Sequence, residues 1–415
     1  MSDSCTKKNF ISFLPALAAF ALVCFIRHFK FTMSAYNATF LALNYDYGFV
    51  PRGLIGTLFQ WATNTFPIMD WNYTGAFNFS GAFTLLFYVL LFVFYKLCLD
   101  RCPEESKRNL KHLLIFLSIF TFPMYTTSVS YGCLDLYLNI ILILCLILLV
   151  LGKAEWLIVP LGIVGMCINH DFIFTHAMLI GALLVYKLLN RQGNCRIKYS
   201  IILLIFLISS ISLFSHFENY MYENPTEIAT EIQESAKALS ETGKSYGKTY
   251  LDEEILGKDL SLTESRLDQT EDNLQDLPVF LFLFSPYLIA MIYLFIQMVH
   301  DTDTTWRKRI SYLVLLFGSI CILPMLFTDV YYGRYMFQLT FYYIAIFIVL
   351  ISSGEHKTST YFDNLKAGIK QLTPLTFVWF LYPFLLTPFR AVAISASIHD
   401  LAEVIFTELT YFIQP

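Results

Sequence analysis

Apolar residues arrive in uninterrupted blocks of roughly 17 to 23 between short polar stretches, and this constrains the chain more than anything else in it. A bilayer's hydrocarbon core takes about 20 helical residues to cross. The blocks fall at about 10–27, 81–98, 112–131, 133–152, 154–169, 172–189, 199–216, 278–299, 310–327, 335–352 and 374–390. The expectation is an all-α, polytopic transmembrane helix bundle of about 11 spans. Only 14% of the 415 residues are charged, against 56% hydrophobic, which excludes a soluble enzyme; soluble domains carry about 25% charged residues. A signal peptide is considered for Phe10 to Ile26 behind Lys7 and Lys8, but no small-residue cleavage site follows, so the block is kept as the first span.

Charge sets the orientation. With a cytoplasmic N-terminus, the inner connections hold 18 of the 28 Lys and Arg, and five of the remaining ten lie in one long acidic insert that the positive-inside rule exempts. Location in the cell inner (cytoplasmic) membrane follows as an expectation. The insert, 217–277, holds 15 Asp and Glu against 5 Lys and Arg, so the rest of the chain has a balance of +6. Its apolar residues, among them Ile228, Ile232 and Leu239, are too sparse for a core and suggest two or three amphipathic helices covering the outer face. Three modules are expected: an N-terminal membrane module, 1–216, with a long outer loop at 28–80; the insert; and a C-terminal membrane module, 278–415, whose stretch 391–415 reads as an amphipathic helix at the outer surface.

The nine cysteines show no CxxC pair and read as small hydrophobes. No pattern specifies a cofactor or a resident metal, and nothing favours a nucleic acid as partner.

Polar chemistry collects in the outer turns. In the first loop, Tyr45-Asp46-Tyr47-Gly48-Phe49-Val50-Pro51-Arg52-Gly53 offers a carboxylate base in Asp46 and a planar phosphate-binding fork in Arg52. The alternative is an Asp/Arg pair that merely fixes a loop. The run from Leu54 to Trp61 suits a short helix in the headgroup layer. Asn169-His170-Asp171 joins two blocks that together span about 54 Å as helix, short of roughly 60 Å for two crossings, so the turn is expected below the outer surface. His170 and Asp171 at that depth are functional candidates; His176 reads as a satisfied buried histidine. Asp135 at the mouth of the fourth span, and Asp329, Tyr332 and Arg334 before the tenth, complete the candidates, with tyrosines able to stack on a sugar face.

This plan resembles the GT-C class of membrane glycosyltransferases and the polytopic, O-antigen-like polymerases of bacterial surface polysaccharide. The resemblance rests on an early span, a long outer loop with Asp46, polar outer turns and a late outer insert. It implies a sugar donor carried on polyprenyl phosphate or diphosphate, with Asp46 as base, Arg52 and Arg334 on the phosphate, and His170 with Asp171 assisting. Partners would be the polyprenyl-linked saccharide, membrane lipids and other polysaccharide-assembly proteins. A transporter or flippase of lipid-linked oligosaccharide is the alternative, which charges lining a path at mid-membrane depth would favour; a non-catalytic scaffold is a third. A single site requires Asp46, Arg52, His170, Asp171, Asp329 and Arg334 to line one outward cavity.

Overall fold

The computed structural model describes residues 33–67, 69–114, 131–190, 193–240, 243, 281, 284–301, 304–323, 332–353 and 356–369. The expected spans at 10–27 and 374–390, most of that at 112–131, the tail 391–415, the later part of the insert and Asp329 lie outside the described residues. Those described are helical or in turns, with no strand among them.

The chain runs through α1 (Ala35–Ala42), α2 (Leu54–Thr65), α3 (Tyr73–Arg101), α4 (Leu134–Leu151), α5 (Ile158–Ile168), α6 (His176–Asn190), α7 (Asn194–Glu218) and α8 (Pro225–Leu239). It continues through α9 (Phe284–His300), α10 (Trp306–Ile320), α11 (Tyr332–Ser352) and α12 (His356–Ile369). Local chemistry explains the boundaries. Asn72 caps α3 by accepting from the Gly75 N–H at 2.9 Å, and Pro103 follows its last turn. α4 ends where Gly152 turns left-handed at φ +68°, a conformation glycine adopts without penalty. Pro225 opens α8, where its missing N–H costs nothing.

Four segments are long and apolar enough to cross a membrane: Tyr73–Arg101, Leu134–Leu151, His170–Asn190 and Cys195–Glu218. Glu155–Ile168, Phe284–His300 and Gln338–Ser352 are shorter apolar helices. Leu134–Leu151 is 78% buried within the protein and occupies the centre, whereas Cys195–Glu218 is 22% buried and lies at the rim. On α7 the residues Ile197, Ile201, Leu204, Ile208 and Ile211 form one stripe, each 52–62% exposed. Water would meet a wholly apolar helix face there, so hydrocarbon is its natural cover.

The two ends of the bundle differ. Lys107, Arg108, Arg196, Lys198, Lys357 and Lys366 gather at one end, with exposed Trp156 and Trp306 beside them. There Asn109 Nδ2 donates to Asp363 Oδ2 at 2.9 Å and to Ser359, and Lys366 reaches both Asn109 and Asp363, tying the segment 107–114 to α12. Burial would raise the Asp363 carboxyl, but hydrogen bonds from Lys366 and Asn109 and the charges of Lys366 and Arg108 hold it below its ordinary value. A depressed acid stabilises the fold above its unfolded pKa of about 3.9, and the contribution disappears as pH falls through the folded value. Lowering the pH through the folded value is therefore expected to reduce the protection of the α12 amides, measured against their intrinsic exchange at each pH, before that of the bundle core, and Asp363→Asn to abolish that pH dependence.

The opposite end carries the turns singled out above, and an amphipathic helix of the insert covers part of it, the form expected for that segment. The first insert helix, α8, buries Ala229, Ile232, Ala236 and Leu239, and packs against α1 and α3. α1, whose residues 37–42 are all buried, was not legible as an element. Asn37 fastens it by donating to the Tyr131 carbonyl at 2.9 Å.

Candidate functional site

The loop from Asn44 to Gly53 is held by its own turns and by α2. Asn44 Oδ1 accepts from the Asp46 N–H at 2.8 Å and starts a single 3-10 turn over Tyr45–Tyr47. Thr57 and Gln60, one turn apart on α2, hold the next residues: Thr57 Oγ1 accepts from the Tyr45 N–H at 2.9 Å, and Gln60 Nε2 donates to Asp46 Oδ2 at 2.6 Å. Asp46 is exposed. Burial, with the charges of Glu231 and Asp46, raises the Tyr47 phenol above its ordinary value, and a hydrogen bond with Glu231 joins it to α8. Tyr220 donates to the Tyr47 carbonyl at 2.9 Å, and His216 to the Phe49 carbonyl at 3.3 Å with its ring stacked on Phe49.

Arg52 occupies the third position of a turn closed by the Gly53 N–H on the Val50 carbonyl at 3.4 Å, with Pro51 second. Its φ is +64°, where glycine is the ordinary choice. The side chain explains the residue: Arg52 Nε donates to Asn169 Oδ1 at 3.2 Å and its NH2 group to Asp171 Oδ2 at 3.0 Å, over the ring of Phe40. The guanidinium is 12% exposed and the carboxylate 27%. Arg52 therefore pairs with Asp171 of another turn and not with Asp46, which turns to Gln60 instead.

Asn169 Oδ1 also accepts from the Asp171 N–H at 3.1 Å, which starts the 3-10 turn His170–Ile173 between α5 and α6. His170 is buried, its Nε2 lying 3.3 Å from Glu218 Oε1 and 3.9 Å from Asp171 Oδ1. The turn lies level with the last turn of α7, where Phe214 and Glu218 contact it. The 44–53 loop meets it through Arg52.

Arg52, Asn169, His170, Asp171 and Glu218 thus form one cluster from three separate stretches, with Asp46 on the same loop but directed to α2. Asp135 lies in the first turn of α4, half-buried and near enough to Tyr342 of α11 for the two to interact electrostatically. Tyr332 and Arg334 lie in the first turn of α11; their side chains, like Asp329, are outside what is described. His176 is fully buried and hydrogen-bonded, as read. Among the described residues no group of three or more His, Cys, Asp or Glu is placed to hold a metal ion.

Glu218 escaped notice because it opens the acidic insert and was weighed only as one of fifteen acids. Its place at the end of an apolar block, two residues after His216, was the available signal. Gln60 gave none, since one amide on a surface helix is unremarkable in sequence.

No family model, no curated protein and no solved structure matches the chain. What fold and site define together is a class: an all-helical bundle with membrane-length apolar helices and an ionic cluster at the end opposite Lys107, Arg108, Arg196, Lys198, Lys357 and Lys366.

Proposed function

We propose that the chain is a membrane glycosyltransferase that uses a saccharide linked to polyprenyl phosphate or diphosphate at the outer face of the cytoplasmic membrane, in surface polysaccharide or other glycan assembly. The observation that carries the reading is the cluster of Arg52, Asn169, His170, Asp171 and Glu218 at one end of an apolar bundle. A lipid-anchored donor keeps its phosphate at the headgroup layer, so an enzyme acting on it needs its charges at a bundle end. Support for an outward cluster comes from the six lysines and arginines gathered at the other end, because the positive-inside rule favours such an end for the cytoplasmic side.

In this reading Asp46, exposed and held by Gln60, takes the proton of the acceptor hydroxyl. Arg52 exchanges Asp171 for a phosphate oxygen of the leaving group, since both present the planar pair of acceptors a guanidinium fits. Arg334 supplies a second positive charge. His170, between Glu218 and Asp171, orients the turn from which Asp171 is released.

The test is transfer from a polyprenyl-linked sugar in proteoliposomes. Asp46→Asn is expected to lower kcat by about 100-fold or more with donor binding retained, the range of a lost general base. Full activity in that variant removes Asp46 from the role. Donor movement between leaflets with no new glycosidic bond replaces the reading with that of a flippase.

A further inference from the structure

Further into the bundle, three polar side chains from three helices and a fourth from the turn before α6 close one hydrogen-bonded circuit. The amides of Asn139 on α4 and Gln338 on α11 exchange two bonds: Asn139 Nδ2 donates to Gln338 Oε1 at 2.9 Å, and Gln338 Nε2 to Asn139 Oδ1 at 2.8 Å. His176, the first residue of α6, sets Nε2 against this pair, 3.3 Å from Asn139 Oδ1 and 3.5 Å from Gln338 Nε2. Its Nδ1 is 2.9 Å from Thr175 Oγ1. All four residues are buried, with Phe172 stacked on the imidazole and Tyr342 edge-on to it.

Counting hydrogens favours one tautomer. Thr175 Oγ1 also lies 3.0 Å from the Asp171 backbone oxygen, which can only accept, so the single hydroxyl hydrogen is used there. Toward His176 the hydroxyl must then accept, and Nδ1 carries the proton. In a neutral ring Nε2 is left bare. The amide pair sets an N–H toward it whichever way the two amides are oriented. In one orientation it is the second hydrogen of Gln338; with both amides turned over it is that of Asn139, and the exchanged pair survives the turn. In the opposite tautomer the Thr175 hydroxyl hydrogen would have to turn to Nδ1 and give up the Asp171 carbonyl, leaving that oxygen to the Phe174 and Thr175 N–H groups alone.

We propose that His176 is a positioning residue for the Asp171 turn. The amide pair between α4 and α11 holds the imidazole in its Nδ1–H form, and the ring holds the Thr175 hydroxyl on the Asp171 carbonyl. That fixes the turn from which the Asp171 carboxylate reaches Arg52. The relay thereby lets α11, whose first turn carries Tyr332 and Arg334, set the placement of Asp171. Only its consequence for catalysis rests on the glycosyl-transfer reading.

The experiment is nitrogen-15 histidine NMR of the full chain in nanodiscs, with the His176 signals identified by their loss in His176→Gln. The wild type is expected to show a protonated Nδ1 and a bare Nε2. Thr175→Val keeps the side-chain shape but removes the hydroxyl. It should move the proton to Nε2 and speed exchange of the Phe174 and Thr175 amides, which donate to the Asp171 carbonyl, about tenfold, the equivalent of one lost hydrogen bond. Thr175→Ser should restore both. Gln338→Leu, acting from another helix, should speed the same two amides, which a purely local role of Thr175 does not predict. An Nε2–H ring in the wild type, or unchanged exchange in Gln338→Leu, overturns the relay. In proteoliposomes Thr175→Val should lower kcat with KM retained. A wild-type chain with no transfer would sink the glycosyl-transfer reading and leave the NMR result standing.

Discussion

Replacing Arg52 by alanine is expected to destabilise the protein by about 2–3 kcal/mol, and replacing it by glycine by about 1 kcal/mol less. Both variants lose the bonds to Asn169 and Asp171 and leave the Asp171 carboxylate, 27% exposed, without its guanidinium. They differ in the backbone. At φ +64° a side chain with a Cβ is strained by about 1 kcal/mol or more, and glycine is not. Lysine keeps the charge but not the fork that spans Asn169 and Asp171 together, and is expected between wild type and alanine. Unfolding by titrated denaturing detergent in mixed micelles ranks the four proteins. Equal stability of the alanine and glycine variants would show that the turn stores no strain, and wild-type stability in both would show that the pair holds nothing. If the guanidinium is the phosphate ligand, the glycine variant recovers stability without recovering transfer.

Gly56→Ala is the second large effect, and propensity alone predicts the wrong sign. Within a helix alanine is favoured over glycine by about 1 kcal/mol. Here a Cβ would overlap the Leu43 carbonyl group and sit 3.0 Å from the Leu41 oxygen, both backbone. Neither yields easily: Leu41 and Leu43 are fully buried, and the Leu43 N–H is bonded to the Thr39 carbonyl at 3.1 Å. Overpacking of this kind costs about 1–3 kcal/mol and occasionally more, so the variant is expected to lose about 2 kcal/mol net. α2 must shift away from α1, carrying Thr57 and Gln60 with it, and Asp46 loses its orienting amide. Gln60→Ala should reproduce the effect on transfer with little effect on stability. A Gly56→Ala protein more stable than wild type would mean that α2 does not rest on α1 as described.

Helix positions were largely legible because a long apolar run leaves few alternatives. The block at 133–152 is α4, Leu134–Leu151, and the block at 199–216 lies within α7, Asn194–Glu218. The His170–Asp171 turn was legible as the polar break between two apolar blocks, and it falls between α5 and α6. Pairings between helices were not. Arg52 meets Asp171 across 119 residues, and Asn139 meets Gln338 across 199. Such contacts depend on helix rotation and register, which hydropathy does not encode. α1 was missed for a related reason: eight residues of mixed polarity show no periodicity, and its burial comes from α8, some 190 positions later.

The partners of the 44–53 loop imply an order of assembly. Tyr47 and Phe49 are made early, yet the residues that hold their carbonyls, Tyr220 and His216, follow by 173 and 167 positions. At synthesis rates of 5–20 residues per second these groups wait roughly 10 to 35 seconds for their partners. α1 waits longer, because α8 arrives later still. Among the described residues four further apolar helices, α3 to α6, are made in that interval, so the ionic cluster cannot close as its first residues emerge. A ribosome stalled before residue 216 should therefore leave a loop open to protease while the helices already inserted are protected.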